Sequence, residues 1–203
     1  MSAHALRAYD AAVVVIPAHN DGAALPACLR AVLTAALCAP LPVTIVVVLD
    51  SCDDDSALLA GQYGPDVHFI SVEVDNDGVA RAVGFGYARS LLGDDTKCWY
   101  STTDADSRVD PGWLIHQLGL GADVVGGANM GFSATAYWRV GGFRALSSGE
   151  DADLLARFEA AGYCIHRDTD LSVIPSTRTR ARAPLGFAHH PMLLGRSAAG
   201  DCA

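Results

Sequence analysis

The chain has 203 residues, of which 51% are hydrophobic and 18% charged, and a formal net charge of −9. That size suits one well-buried core rather than two, and the acidic balance lacks the basic footprint that binding a nucleic-acid backbone requires. The first residues carry no long apolar leader and no apolar run nears the ~20 residues of a spanning helix, so a cytoplasmic protein is expected, with peripheral membrane contact left open.

The first half alternates strand and helix. Ala12-Val13-Val14-Val15-Ile16 is a continuous β-branched run ended by Pro17-Ala18-His19-Asn20, the pattern of a strand buried on both faces. Pro26 suits a first helical turn, and Leu25, Leu29, Val32, Leu33 and Ala36 follow at helical spacing. Val43 to Leu49 is a second buried strand, closed by Asp50-Ser51-Cys52-Asp53-Asp54-Asp55 and a weakly helical segment. A third strand over 67–74 leads into Asp75-Asn76-Asp77-Gly78 and a helix over 79–88. The fourth strand, Trp99 to Thr103, ends in Asp104-Ala105-Asp106. This alternation predicts an α/β sandwich with a mostly parallel sheet, whose ligands bind where the strands' carboxyl ends meet. The loops from Pro17, Asp50, Asp75 and Asp104 then share one crevice.

Beyond Asp106 the pattern changes. A short helix over 113–118 precedes a strand and turn over 122–131, and Val140-Gly141-Gly142-Phe143 is a further turn. The clearest helix spans 148–162, with Ser148 expected to cap it and Gly162 to end it. At ~100° per residue its apolar stripe holds Leu154, Leu155 and Phe158, and Asp151 falls within that stripe. A C-terminal segment concentrates Arg178, Arg180, Arg182, His189 and His190. The six cysteines form no C-x-x-C pair, which favours reduced thiols over a zinc site or disulfide framework.

Residues 104 and 106 of an extended segment point to one side, and two carboxylates so close repel unless a cation lies between them; Mg²⁺ or Mn²⁺ suits that place. A core-facing Asp151 suits a general base, and the arginines suit an anion. Together these favour group transfer from a metal-bound diphosphate, with phosphoryl or nucleotidyl transfer using similar parts. No Walker loop, G-x-G-x-x-G after the first strand or G-x-S-x-G elbow is present.

The ordered segments VVVIPAHN, VVVLDSCDDD, VDNDGVARAVG, STTDAD, GGANMGFSATAYWRVGGF and GEDADLLARFEAAGY resemble a family 2 glycosyltransferase of GT-A (Rossmann-like) fold, from about Ala12 to Pro191. The resemblance implies a single domain over 1–191, with a nucleotide-binding half near 10–107, an acceptor half near 108–191 and a flexible tail over 192–203. It also implies a nucleotide-sugar donor, most often a UDP-sugar, and inverting transfer of a hexosyl group to a hydroxyl acceptor. By that likeness Pro17, Ala18, His19, Asn20, Asp50 and Arg81 hold the nucleotide, Asp104 lies near the ribose and sugar, and Asn129 lines the donor-sugar or acceptor pocket. Asp104 and Asp106 match the family's metal-binding Asp-x-Asp, with His189 or His190 completing the metal shell. Asp151 matches its general base, with Glu150 beside it. Only 44 positions separate Asp106 from Glu150, fewer than such enzymes usually have. The acceptor pocket is then pared down, completed by a second subunit in a homodimer, or lost, leaving a nucleotide-sugar-binding or partner-binding relic. A sugar nucleotidyltransferase is the weaker alternative, because no Gly-rich, Lys/Arg-containing loop follows the first strand.

Overall fold

The computed structural model of the chain describes residues 8–126, 129–167 and the backbone of 173–174. Its centre is a strand buried along its whole length, β1 (Ala11–Ala18). The β-branched side chains of β1 alternate between two cores. Val13 and Val15 face one core with Ala80, Phe85 and Ala88, whereas Val14 and Ile16 face another with Leu25, Leu29 and Val32. A strand with apolar residues on both faces must be covered on both, and that requirement sets the three-layer arrangement.

Helices α1 (Leu25–Cys38) and α3 (Trp113–Gly119) cover one face of the sheet. On the other lie α2 (Asp77–Leu92), α4 (Ala134–Arg139) and α5 (Glu150–Ala160). Gly84 lets α2 approach closely, because a Cβ there would stand 2.6 Å from Val15 Cγ1 and 2.9 Å from Val48 Cγ2.

The remaining strands of the main sheet are β2 (Val43–Asp50), β3 (Val67–Val72), β4 (Cys98–Thr102), β6 (Val124–Gly126), β7 (Gly131–Ser133) and β8 (Ile165–Arg167). Their order is β3-β2-β1-β4-β7-β6-β8, and β5 (Arg108–Val109) pairs separately with β9 (Val173–Ile174). The first four pair in parallel, as the alternation of elements predicts. β7 is antiparallel to both β4 and β6, so one reversed strand enters a sheet that is otherwise parallel. Three residues of Gly-Phe-Ser are too short for a periodic signal, and that insertion was not legible beforehand.

Two boundaries differ from expectation. The third strand stops at Val72 rather than Val74, because Val74 N–H turns to the Asp50 carboxylate at 2.9 Å. Ser148 does not cap α5. Gly149 is its N-cap, in the left-handed region at φ 77°, with no side-chain cap hydrogen bond. Cys28, Cys38, Cys52 and Cys98 are free thiols as expected, whereas Cys164 is disulfide-bonded, which corrects the reading of that cysteine.

Candidate functional site

The loops after β1, β2 and β3 share an unusual backbone feature. Asn20 (φ 55°), Ser51 (φ 51°) and Asp75 (φ 48°) are the non-glycine residues with positive φ among the described residues. Each lies just past the end of a successive parallel strand, so the local cost is concentrated at one edge of the sheet.

Hydrogen bonds tie these loops together. Asn20 Oδ1 accepts from Asp53 N at 2.9 Å, and Asp54 Oδ2 accepts from Gly22 N at 2.8 Å. His19 Nδ1 donates to the Asp50 carbonyl at 2.7 Å, which places its proton on that nitrogen. Asp50 itself is buried. Its Oδ1 accepts from Val74 N and Asp75 N, each at 2.9 Å, and from Ser51 Oγ at 3.0 Å, while Oδ2 accepts from Asn76 N at 2.8 Å. Burial alone would raise its pKa, but these donors to the charged form prevail and hold the carboxyl below its ordinary range. Asp50 is therefore the clamp that shapes the loop leading into α2. Asn76 then caps that helix, its Oδ1 accepting from Val79 N at 2.9 Å.

One turn into α2, Arg81 gathers the acids. Its Nη2 lies 2.8 Å from Asp104 Oδ1, and its Nη1 lies 2.6 Å from Glu150 Oε1 and 3.7 Å from Asp151 Oδ1. The guanidinium carbon stands 5.5 Å from the centroid of the Phe143 ring. Arg81 is 5% exposed, and its Nε has no hydrogen-bond partner. Burial works against its charge, but Asp151, Asp104, Glu150 and Asp77 together raise its pKa. The guanidinium is held charged by its neighbours.

The acids respond in turn. Asp151 Oδ1 is enclosed and accepts no hydrogen bond, although its side chain as a whole is 46% exposed. Loss of solvent around this carboxyl raises its pKa to about 6, with Glu150, Asp104 and Asp77 adding to the rise and Arg81 opposing it. Asp104 is also raised, first by desolvation and then by Asp106 and Asp77, against the pull of Arg81. Its side chain remains 55% exposed, with Arg81 on Oδ1.

The expected site residues are thus brought together in part. Arg81, Asp104, Glu150 and Asp151 form one cluster. Asp106 lies close enough to Asp104 to act on its ionisation. Pro17 and Ala18 are buried within β1, so His19 and Asn20, both half-buried, are the residues of that stretch whose side chains reach the edge. Asn129 is 3% exposed and its amide has no hydrogen-bond partner on either atom; its carbonyl accepts from Gln117 Nε2 at 3.3 Å. His189 and His190 lie outside the described residues.

Residues that sequence reasoning passed over are Asp77, Phe143 and Cys28. Asp77 precedes Arg81 by four on α2, a spacing that could have flagged it. Phe143 carried no local signal. Cys28 is buried under the acidic pair, its Sγ 3.4 Å from the Asp104 carbonyl.

Asp104 and Asp106 are the residues that could hold a divalent cation. Mg²⁺ commonly uses one or two carboxylates and completes its shell with water and substrate phosphates, and Asp104 presents a half-exposed side chain there. Among the described residues no group of three or more His, Cys, Asp or Glu is placed to hold a metal by itself.

The model of glycosyl transferase family 2 matches residues 13–140. The chain belongs to that family. No curated protein matches it. Among solved structures, the mannosyltransferase PcManGT from Pyrobaculum calidifontis, in complex with GDP-Man and Mn²⁺, aligns with a TM-score of 0.65 at 16% identity, covering 84% of this chain and 58% of that one. S. aureus TarS 1–349 in complex with UDP-GlcNAc aligns with a TM-score of 0.65 at 14% identity, over 84% of this chain and 59% of that one. These likenesses are of fold, the GT-A Rossmann-like architecture, and the family 2 chain spans less than two thirds of either structure's length. Among the described residues no helix is long and apolar enough to cross a membrane.

Proposed function

We propose that this family 2 chain moves a hexosyl group from a nucleotide-sugar, a UDP-sugar first among them, to a hydroxyl acceptor by inverting displacement, with Asp151 as general base. The observation that carries this reading is Asp151 itself. One of its oxygens is enclosed without a hydrogen bond, and its pKa of about 6 makes it more basic than an ordinary Asp while leaving it largely ionised at neutral pH. In the step proposed, the acceptor oxygen forms a bond to the anomeric carbon as its proton passes to Asp151. The bond from that carbon to the diphosphate breaks, and the electron pair leaves with the diphosphate.

The other residues then divide the work. Asp104 and Asp106 would hold Mg²⁺ or Mn²⁺, which supplies charge neutralisation to the departing diphosphate when bound. Arg81 adds positive charge beside them, and Glu150 holds Arg81 in place. His19 and Asn20 line the nucleotide side of the crevice, with Asp50 fixing the adjoining backbone. The Asn129 amide, buried and without a hydrogen-bond partner, is the group we assign to the donor sugar or the acceptor.

Calorimetric titration of UDP, GDP and their sugars in the presence of Mn²⁺ tests the donor half, and no heat from any of them would refute it. The short step of 44 positions from Asp106 to Glu150 favours a second reading, a nucleotide-sugar-binding relic without transfer. Donor hydrolysis or transfer that vanishes in Asp151→Asn while donor binding persists would exclude the relic.

A further inference from the structure

The cation nearest Asp104 is supplied by the chain. Arg81 spreads its two Nη groups over two acids instead of clasping one carboxylate, with Nη2 at 2.8 Å from Asp104 Oδ1 and Nη1 at 2.6 Å from Glu150 Oε1. The arms differ in setting. The Glu150 side chain is 15% exposed, whereas that of Asp104 is 55% exposed. A charged pair shielded from water is held more strongly than one that solvent can screen, so the Glu150 arm is the anchor and the Asp104 arm the one that yields.

We infer that Arg81 is a resident counter-cation of Asp104 that antagonises divalent-metal binding at Asp104 and Asp106, with Glu150 as the positioning residue that sets how strongly it does so. The inference rests on the proposed metal-dependent reading of that acid pair. Like charges a few ångströms apart repel, so the acid pair with Arg81 beside it takes up a divalent ion less readily than the same pair without it. When such an ion binds, Arg81 gives up Asp104 Oδ1 but stays tethered by Glu150, with Nη2 released toward the phosphate side of the crevice. Metal and diphosphate are then coupled through one guanidinium. A diphosphate that engages Arg81 strengthens metal binding, and by linkage the metal strengthens diphosphate binding by the same factor.

The test is Mn²⁺ binding to the full chain without nucleotide, followed by electron paramagnetic resonance of the free ion, for wild type, Arg81→Gln, Arg81→Lys, Glu150→Gln and Asp104→Asn. Arg81→Gln is expected to tighten Mn²⁺ about tenfold, and Arg81→Lys to stay near wild type because it keeps the charge. Glu150→Gln is expected to weaken Mn²⁺ several-fold, since the whole guanidinium charge then falls on Asp104. The two opposite signs keep the test decisive should Arg81→Gln fail to fold. Mn²⁺ that depends on Asp104 but is unmoved by Arg81→Gln or Glu150→Gln overturns the antagonism and leaves the metal site standing. Mn²⁺ that binds neither wild type nor Arg81→Gln, or binds Asp104→Asn equally, overturns the metal reading and this inference with it.

Discussion

Arg81 on α2 and Glu150 at the first position of α5 meet at 2.6 Å across 69 positions of sequence. This pair joins the helix after the third strand to the helix that carries Asp151. Asp104, on the loop after β4, meets the same guanidinium at 2.8 Å. Three elements that share no local sequence signal are therefore joined at one buried cation.

Removing that cation should destabilise the fold. Arg81→Ala strands three acids, of which Glu150 is largely buried, and the expected loss is about 3 kcal/mol, the low end for a broken buried pair because Asp104 and Asp151 stay half-exposed. Urea denaturation with unchanged m-value checks it; a loss below 1 kcal/mol, on the order of an exposed pair, would show that the network is only a surface one. Arg81 also opposes the rise in the Asp151 pKa, so the acid limb of any transfer activity should move to higher pH in Arg81→Gln, which removes the charge.

Asp151 should leave a mark on stability against pH. Its pKa is raised from 3.8 to about 6 in the folded chain, so the folded state holds the proton more tightly than the unfolded one. The favourable contribution is present below the ordinary value and lost as pH rises from 3.8 to about 6. Asp151→Asn should flatten the stability profile over that window and abolish transfer. An identical slope in wild type and variant, from thermal melts at several pH values, would contradict the assignment.

Asp50 should act with the opposite sign. Its pKa is lowered by three backbone N–H groups and Ser51 against the effect of burial, so its contribution is present above the ordinary value of 3.8 and lost as pH falls through the lower folded one. Asp50→Ala leaves the N–H groups of Val74, Asp75 and Asn76 without their acceptor, at a cost of about 2 to 3 kcal/mol. Hydrogen exchange should speed up at 74–76 in this variant while exchange in β1 stays slow.

Gly84 offers a steric test remote from the acids. Gly84→Ala places a Cβ 2.6 Å from Val15 Cγ1, and overpacking of that kind costs about 1 to 3 kcal/mol. The expected relief is a small shift of α2 away from β1 and β2, which carries Arg81 with it. Donor affinity by calorimetry should fall several-fold in Gly84→Ala and remain unchanged in an exposed control on the same helix, Ser90→Ala.

Much of the fold up to the fourth strand was legible from residues alone, and the reason is local. Four β-branched or aromatic runs, each followed by turn formers, encode parallel strands and their crossovers within windows of ten residues or so, and the acids at 50, 75, 104 and 106 fall at the strand ends by that same count. The helical spacing of Leu154 and Phe158 marked the inner face of α5, and both are fully buried there.

Tertiary structure decided the rest. The reversal of β7 depends on β4 and β6 offering it edges, and a three-residue strand cannot announce that. Gly149 rather than Ser148 caps α5 because the chain enters the helix through the left-handed region, which glycine adopts without a steric penalty. Above all, the sequence by itself singled out Arg81, Asp104, Glu150 and Asp151. Only the packing of α2 and α5 on one face of the sheet decided that Arg81 divides its charge between Asp104 and Glu150 and leaves one oxygen of Asp151 enclosed, because long-range ion pairs depend on where whole elements come to rest.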